Sequence, residues 1–316
     1  MASVTAASEE IPKGEHVLFA AGGPSGPARL SGIFYEPEAP GKTAVILIPQ
    51  GSGALNEGDH DYNPLARKLM DAGYALLLAN MRTANGAWFY TLFETSKDDI
   101  AAAIELMKSR GYTDMILLGT SLGGPRGAYY YAKTRDSSVK GFVFLASITS
   151  PYLERTVRRT PEQLAQFDRI LDGARDLIAA GKEYEPVCFT MMMDKKEGFT
   201  MAGGEELPCD KPGQGVTLSA ESFVNHFGKP EECNATSTKW TPEFDIPTAI
   251  VHSINDEVSY PPVAQAIYDS LENAPRRDMI WLEDPEVSHY LSKGLAANRY
   301  ADEIVTWLLS AVPPKS

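Results

Sequence analysis

One serine of this chain stands in a sequence that favours nucleophilic chemistry. Ser121 lies in the stretch GTSLG at residues 119–123, which follows the apolar run MILL at 115–118 and precedes a helical pattern that begins at Gly124. A serine at a sharp strand-to-helix turn has its hydroxyl lifted clear of the sheet, and glycines flank it because a side chain would clash where the chain doubles back. With 26 glycines in the chain, such a stretch also arises by chance as an ordinary strand-ending turn. The preceding strand and the following helix favour the nucleophile.

A serine hydroxyl is a poor nucleophile at neutral pH, so it requires a base and a carboxylate that orients the base. Asp256 and His289 each lie just after an apolar run that predicts a strand. In an open parallel sheet the chemistry gathers outside the carboxyl ends of the strands, which is also where Ser121 is expected. We therefore predict His289 as the base and Asp256 as its acid, with Glu257 and Asp284 as the less favoured acids.

The other four histidines have simpler interpretations. His252 lies inside a predicted strand and is expected in the core, whereas the pattern places no partner beside His16, His60 or His226. The run Asp59-His60-Asp61 has the chemistry of metal ligands but lies in a loop without further ligands. We therefore predict no metal site, and the sequence contains no cofactor motif.

Short apolar runs alternate with helical patterns along most of the chain. An antiparallel hairpin is predicted first, and continuous apolar runs separated by helices then indicate parallel strands buried on both faces. The predicted strands are 15–20, 28–35, 43–49, 74–81, 114–120, 139–148, 248–253 and 278–283, and the predicted helices are 62–72, 96–110, 124–133, 262–274 and 298–311. The fold class is therefore α/β, with a doubly wound, mostly parallel, eight-stranded sheet.

The alternation stops between residues 149 and 244. This segment carries one amphipathic helical pattern at 161–180, then a Met-rich stretch and a loop with Gly, Pro and Cys. We predict two parts: a core made of residues 1–148 and 245–316, and an inserted cap or lid at 149–244.

Composition narrows the range of partners. The 316 residues are 43% hydrophobic and 22% charged, which is typical of a soluble globular protein, and no apolar run is long enough to span a bilayer. The formal net charge of −13 argues against nucleic acid as a partner. A small-molecule substrate is expected instead, and the oligomeric state is left open.

The cysteines and the N-terminal stretch bear on the compartment. Cys188, Cys209 and Cys233 would be free thiols in a reducing compartment, whereas in an exported protein Cys209 and Cys233 could pair and leave Cys188 free. Residues 1–10 have no signal-peptide pattern, so a cytoplasmic location is favoured, with export after removal of a signal left open.

The chain order Ser121, Asp256, His289 resembles that of α/β-hydrolase-fold serine hydrolases, the esterase- and lipase-like enzymes, over nearly the whole chain. The resemblance implies a nucleophile after the fifth strand, an acid after the seventh and a histidine after the eighth. It also implies an oxyanion hole formed by the backbone N–H of Leu122 and a donor in the loop after the third strand, either Ser52 or Gly51.

That loop reads Gln50-Gly51-Ser52-Gly53, similar to the His-Gly-x-Gly stretch of many esterases but with glutamine in place of histidine. A plain flexible turn is the alternative interpretation. Substrate contacts are expected from residues near the mouth of the site, although the aromatic ones and the methionine could equally pack beneath or within a cap. They are Gln50, Arg82, Trp88, Phe89 and Met192.

The resemblance implies a serine hydrolase that cleaves a carboxylic ester of a medium-sized, partly apolar small molecule through an acyl-serine intermediate. The same three residues also serve C–C bond, thioester, lactone or amide cleavage. A hydrolase-fold protein that binds a ligand under the cap without turnover is a further alternative.

Overall fold

The computed structural model describes residues 13–51, 53, 62–84, 86–158, 160–189, 216–289 and 295–315. Ten strands are assigned within these residues: β1 (Glu15–Ala21), β2 (Ala28–Tyr35), β3 (Thr43–Ile48), β4 (Ala75–Ala79), β5 (Asp114–Thr120), β6 (Val139–Leu145), β7 (Pro186–Phe189), β8 (Val216–Ser219), β9 (Thr248–Ser253) and β10 (Arg277–Leu282). Eight of them form one sheet in the order β1-β2-β4-β3-β5-β6-β9-β10, and β7 pairs with β8 in a separate antiparallel sheet.

The large sheet is mostly parallel. β2 runs antiparallel to both of its neighbours, β1 and β4. All the other neighbouring strands of this sheet pair in parallel. The predicted opening hairpin and the predicted α/β fold class are therefore confirmed.

Helices cover both faces of the sheet. The described helices are α1 (Asn63–Asp71), α2 (Ser96–Ser109), α3 (Gly123–Thr134), α4 (Pro151–Arg158), α5 (Pro161–Ala179), α6 (Ala220–Phe227), α7 (Ser237–Trp240), α8 (Pro261–Ser270) and α9 (Leu295–Ala311). Side chains of α1 and α9 pack on one face, and those of α2, α3 and α8 pack on the other. The central strands are buried on both faces, which explains why they read as continuous apolar runs.

The strand order reverses beside β3. From β3 the chain crosses to β4 on one side, and it then returns to β5 on the opposite side of β3. A crevice forms at such a switch point, outside the carboxyl ends of the two strands. The loop after β3 and the turn after β5 therefore meet at this edge.

Several boundaries differ from the sequence prediction, and β6 and α8 both end earlier than predicted. β6 ends at Leu145, three residues before the predicted end, because Ala146 adopts a left-handed conformation with φ of +43°. α8 ends at Ser270 rather than near residue 274. Apolar residues continue past both ends, so hydrophobicity alone did not predict where the backbone turns.

The segment between β6 and β9 has more structure than predicted. In addition to α5, which begins with a capping box at Thr160 and Gln163, it contains α4, β7, β8, α6 and α7. These elements are four or eight residues long, too short for a periodic pattern to stand out. Whether the segment works as a cap stays a prediction.

Cysteine pairing differs from the predicted alternative. Cys188 in β7 is disulfide-bonded, whereas Cys233 is a free, buried thiol. The pairing of Cys233 with Cys209 is therefore wrong. Burial raises the pKa of the Cys233 thiol to about 12, which keeps this thiol protonated and unreactive.

No helix among the described residues is both long and apolar enough to cross a membrane.

Candidate active site

Ser121 occupies a strained turn between β5 and α3. Its φ is +48°, a left-handed conformation that residues other than glycine seldom adopt. The turn is held in place by hydrogen bonds: the Ser121 N–H donates to Leu145 O at 3.2 Å, and Ser147 Oγ donates to Ser121 O at 3.1 Å. Strain that the surroundings hold in place in this way is typical of functional sites.

The glycines around Ser121 are required by close backbone contacts. A Cβ on Gly119 would lie 2.6 Å from Gly123 O, and a Cβ on Gly123 would lie 2.1 Å from Ile48 O. A Cβ on the next residue, Gly124, would lie 1.9 Å from Ser147 Oγ. The predicted steric role of the two glycines that flank the serine is therefore confirmed.

The three predicted side chains form one continuous chain of hydrogen bonds. Ser121 Oγ lies 3.0 Å from His289 Nε2. On the other side of the ring, His289 Nδ1 lies 2.9 Å from Asp256 Oδ2 and 3.1 Å from Oδ1. Asp256 follows β9 and His289 follows β10, so residues 168 positions apart meet at one edge of the sheet. This is the geometry of a serine, its base and the acid that orients the base.

Asp256 is buried but well supplied with donors. The N–H groups of Val258 and Ser259 donate to Asp256 Oδ1 at 2.9 and 2.6 Å. Burial alone would raise the pKa of this carboxyl, but His289, His252 and the Ser259 N–H together hold it below its ordinary value. The carboxylate therefore stays ionised beside the imidazole.

Neighbouring polar residues support this arrangement without replacing Asp256. Glu257 Oε2 accepts a hydrogen bond from the His289 backbone N–H at 3.2 Å. Asp284 instead accepts from the Glu286 N–H, within its own turn. His252 is fully buried in β9, as predicted, and its Nε2 donates to Ser259 O at 2.7 Å. The favoured acid, Asp256, is thus hydrogen-bonded to the His289 ring, and the bond described for Glu257 is to the His289 backbone.

Two backbone N–H groups beside Ser121 are available as donors. Among the described residues, none accepts a hydrogen bond from the N–H of Leu122 or of Gly51. Both residues line the same cavity as Ser121. The third predicted donor, Ser52, lies outside the described residues. The use of these N–H groups as an oxyanion hole stays a prediction.

The loop after β3 is a turn tied to its neighbours at several points. Gly51 has a φ of +42°, and the turn is closed by a hydrogen bond from Gly53 N–H to Gln50 O at 2.8 Å. The Gln50 side-chain oxygen accepts hydrogen bonds from Tyr62 Oη and Thr120 Oγ1, each at 2.9 Å. Gln50 therefore joins this loop to the strand that carries Ser121.

Sequence reasoning missed Arg126, which lies on α3 and also holds this loop. Its Nη1 donates to Pro49 O at 2.9 Å and its Nη2 donates to Gly51 O at 2.7 Å. The side chain is only 1% exposed. The available signal was a single charged residue in the otherwise uncharged run 122–132, because an arginine in such a surrounding is seldom buried without a specific partner.

A cavity of about 80 Å³ opens beside Ser121. Most of its wall is apolar, but Glu154 and Arg155 of α4 also line it. The apolar members, apart from Gly51, are Trp88, Leu122, Ile148, Pro151, Phe227 and Val258. The Arg155 guanidinium lies 4.1 Å from the centre of the Phe167 ring.

The residues predicted to contact substrate fall in different places. Trp88 lines the cavity, whereas Phe89 is half-buried and packs edge-on against Tyr90. Neither Gln50 nor Arg82 is among the described residues that line it. Arg82 instead forms an ion pair with Asp99, with Nε 2.7 Å from Oδ1. Met192 lies outside the described residues. That any of the five predicted residues contacts substrate stays a prediction.

His226 has its own hydrogen-bond partner on α6. His226 is fully buried on α6, and its Nδ1 donates to Ser222 O at 3.0 Å. Burial, helped by the charge of Arg126, lowers the pKa of His226 to about 3. The run at 59–61 lies outside the described residues, and within the described ranges no group of three or more His, Cys, Asp or Glu is placed to hold a metal ion.

Comparison with known proteins supports the fold. The siderophore hydrolase EstB from Aspergillus fumigatus superposes with a TM-score of 0.64 at 15% identity, covering 95% of this chain and 98% of that chain. Est1E from Butyrivibrio proteoclasticus superposes with a TM-score of 0.60 at 13% identity, covering 93% and 98%. At these identities the likeness shows the fold alone, and the chain has the α/β-hydrolase fold.

Sequence comparison gives a likeness to a peptidase. No protein-family model matches the chain. The proline iminopeptidase of Clostridioides difficile (strain 630) is 23% identical over 252 residues, which covers 74% of this chain and 80% of that protein.

Proposed function

We propose that this protein is a serine hydrolase that cleaves a carboxylic ester through an acyl-serine intermediate. The observation that carries the proposal is the chain of hydrogen bonds from Ser121 Oγ through His289 to Asp256, at the carboxyl ends of β5, β9 and β10. Each member has the position and partner that its role in acyl transfer requires.

The first half-reaction forms the acyl-serine. His289 Nε2 takes the proton from Ser121 Oγ as the oxygen attacks the substrate carbonyl, and Asp256 stabilises the imidazolium that results. The carbonyl oxygen becomes an oxyanion, and the N–H groups of Leu122 and Gly51 are the donors we assign to it. Collapse of this intermediate breaks the ester C–O bond, and His289 returns its proton to the departing alcohol.

The second half-reaction uses water. His289 removes a proton from the water as it attacks the acyl-serine, and the same N–H groups bind the second oxyanion. Collapse of the intermediate breaks the bond to Ser121 Oγ, which regains its proton from His289. The products are a carboxylic acid and the alcohol, and the enzyme is restored.

The cavity suggests which part of a partly apolar substrate lies beside Ser121. Its volume of about 80 Å³ is roughly half that of a cavity known to hold benzene. Its wall is mostly apolar, with Trp88 and Phe227 as the aromatic members. We therefore assign the cavity to a short acyl chain of a few carbon atoms. We propose the segment between β6 and β9 as the cap, because Pro151, Glu154, Arg155 and Phe227 of this segment form part of the cavity wall.

Amide cleavage is the second candidate. The distant likeness to a proline iminopeptidase favours it, and Glu154 places a carboxylate in the cavity wall. In a site for amino-terminal residues such a carboxylate would bind the substrate ammonium group. Glu154 Oε1 also accepts hydrogen bonds from Thr149 N–H at 3.2 Å and from Ser259 Oγ at 3.3 Å, so its effect on substrates with and without an amine must be compared.

The first experiment is fluorophosphonate labelling, read by intact-protein and peptide mass spectrometry. The wild type and Ser109→Ala, which changes an exposed serine on α2, should carry one adduct on Ser121, and Ser121→Ala should carry none. No adduct on a folded wild type would overturn the proposal and favour ligand binding without turnover.

The second experiment compares substrates. Ester hydrolysis predicts turnover of 4-nitrophenyl acetate and butyrate, with markedly slower turnover of the octanoate. Amide hydrolysis predicts faster turnover of prolyl-7-amido-4-methylcoumarin than of its N-acetylated form. It also predicts a loss in Glu154→Gln that is larger for the prolyl amide than for its N-acetylated form. Turnover of the prolyl amide in preference to the short esters would replace the first candidate by the second.

A further inference from the structure

Arg126 holds the loop after β3 from inside the molecule. It lies inside the molecule on α3, and its guanidinium donates to the carbonyl groups of Pro49 and Gly51 at 2.9 and 2.7 Å. These two carbonyls flank Gln50 on either side. One planar, rigid fork of donors thus holds two peptide groups of the loop after β3.

The charge of Asp99 partly offsets the cost of burying Arg126. Removal from water lowers the pKa of the Arg126 guanidinium to about 10, and the charge of Asp99 opposes this effect. Asp99 is fully buried and binds Arg82 through the Nε at 2.7 Å and the backbone N–H at 2.9 Å. The charge of Arg126 also acts on His226: burial and this charge lower the pKa of His226 to about 3, so the histidine is neutral at pH 7.

The hydrogen bonds of the loop determine where its N–H groups point. A trans peptide carries its C=O and its N–H on opposite sides. The Gln50 carbonyl accepts from Gly53 N–H inside the turn, so the Gly51 N–H of the same peptide points away from the turn. Because Gly51 has a φ of +42° and no side chain, this orientation depends on the contacts that hold its neighbouring carbonyls.

We propose that Arg126 is a positioning residue for the oxyanion hole: by holding the carbonyls of Pro49 and Gly51 it aims the Gly51 N–H at the substrate carbonyl oxygen beside Ser121. The inference rests on the proposed function. It also explains how the loop keeps its shape with glutamine in place of the histidine usual in esterases.

A role of this kind makes a specific kinetic prediction. Donors that are aimed in advance stabilise the oxyanion of the transition state much more than the neutral carbonyl of the substrate. Loss of the Arg126 contacts should therefore lower kcat and leave KM almost unchanged. A merely structural arginine would lower the melting temperature and the amount of active enzyme without this division.

The test compares Arg126→Met and Arg126→Lys with the wild type and with Tyr130→Phe. Tyr130 lies on the same helix and is also buried, but its hydroxyl donates to Asp136 Oδ2 at 2.8 Å, away from the site. The measurements are kcat and KM on 4-nitrophenyl acetate, the inhibition constant of a short trifluoromethyl ketone, which forms an oxyanion on the serine, and the melting temperature.

The expected result for Arg126→Met is a loss in kcat of about 100-fold, with KM changed less than about threefold. The affinity for the trifluoromethyl ketone should fall by a factor similar to that in kcat. Arg126→Lys keeps the charge but replaces the two nitrogens of the planar fork by a single one, so it should lose about tenfold. Tyr130→Phe should keep both constants near those of the wild type.

Three outcomes would overturn the inference: wild-type kcat in the arginine variants, a loss confined to KM, or a kcat loss without weaker ketone binding. If Arg126→Met does not fold, Arg126→Lys decides between the same outcomes. A folded wild type that neither hydrolyses the ester nor reacts with fluorophosphonate would instead reject the proposed function, and with it the role assigned to Arg126.

Discussion

The two sides of Ser121 are built differently. On the side of His289 and Asp256, side chains provide the reactive groups, and they hydrogen-bond directly to one another at about 3 Å. On the side of Gly51 and Leu122, backbone N–H groups are the candidate donors, and the side chains that hold them, such as Arg126, lie behind the loop. We call these the base side and the donor side.

The two sides differ in how far their functional groups can be predicted from the sequence. A base must be a titratable side chain, so few residues qualify and their order along the chain identifies them. A backbone donor carries no residue identity, and any loop with the right conformation can supply it. Substitutions should therefore have larger and more specific effects on the base side than on the donor side.

The largest effect is expected from the base side. Ser121→Ala and His289→Ala should each lower kcat on a short ester by about 10⁴-fold or more, and the double variant should lose little beyond either single variant, because the residues act as a unit. Steady-state kinetics of the three proteins tests this. Losses that multiply in the double variant would mean that the two residues act separately.

The next effect concerns the turn that both sides share. Gly123→Ala places a Cβ 2.1 Å from Ile48 O, which is backbone and cannot move aside easily. We expect a loss of about 3 kcal/mol or more in the free energy of unfolding, measured by urea denaturation, together with lower activity. Gly173→Ala is the control, because that exposed glycine of α5 has nothing within 4 Å of its added Cβ. If the two variants were equally stable, the close contact at the elbow would have no structural importance.

A smaller effect is expected for a second support of the donor side. Gln50→Leu keeps the approximate volume but removes the acceptor of hydrogen bonds from Tyr62 and Thr120. Loss of these partly buried bonds should lower kcat about tenfold, because about 1.4 kcal/mol corresponds to one factor of ten. Gln265→Leu on the exposed surface of α8 is the matched control. An unchanged kcat in Gln50→Leu would leave Arg126 as the principal support of the loop.

The last effect is a gradual one, a dependence of stability on pH. His226 is neutral in the folded protein because its pKa is lowered to about 3, whereas the unfolded chain binds a proton near pH 6.5. The unfolded state therefore takes up more protons between these values, and stability is lost as the pH falls through this window, by up to about 1.4 kcal/mol per pH unit. Urea denaturation at pH 7 and pH 5 measures the slope.

His226→Phe should have a shallower slope, although its stability at pH 7 will also differ. The residual slope has the same sign and comes from His252, because burial also lowers the pKa of this histidine in the folded protein. Asp256, whose pKa is lowered from 3.8, loses its stabilising contribution only at a pH below that window. Gln265→Leu, at an exposed position on α8, should keep the slope of the wild type. Identical slopes in wild type and His226→Phe would contradict the assignment of a buried, neutral His226.

Much of the fold and of the base side could be predicted from the sequence. The strands Asp114–Thr120 and Thr248–Ser253 have their predicted ends, because strands buried on both faces read as continuous apolar runs. Asp256 and His289 were predicted from a general property of parallel sheets, that residues after different strands meet at one edge. Their functional roles remain a prediction that the labelling experiment tests.

Other features were decided only by the tertiary structure. The short elements between residues 149 and 244 depend on packing rather than on a strong local pattern, and Cys188 has a disulfide partner where spacing suggested another pairing. The hydrogen bond from Arg126 to Pro49 O joins residues 77 positions apart, and such a contact produces no periodic pattern in the sequence. The sequence by itself determined which side chains could react and which strands would carry them, since both follow from residue type and local periodicity. The tertiary structure decided how the backbone donors are aimed, because that depends on long-range contacts between groups that every residue possesses.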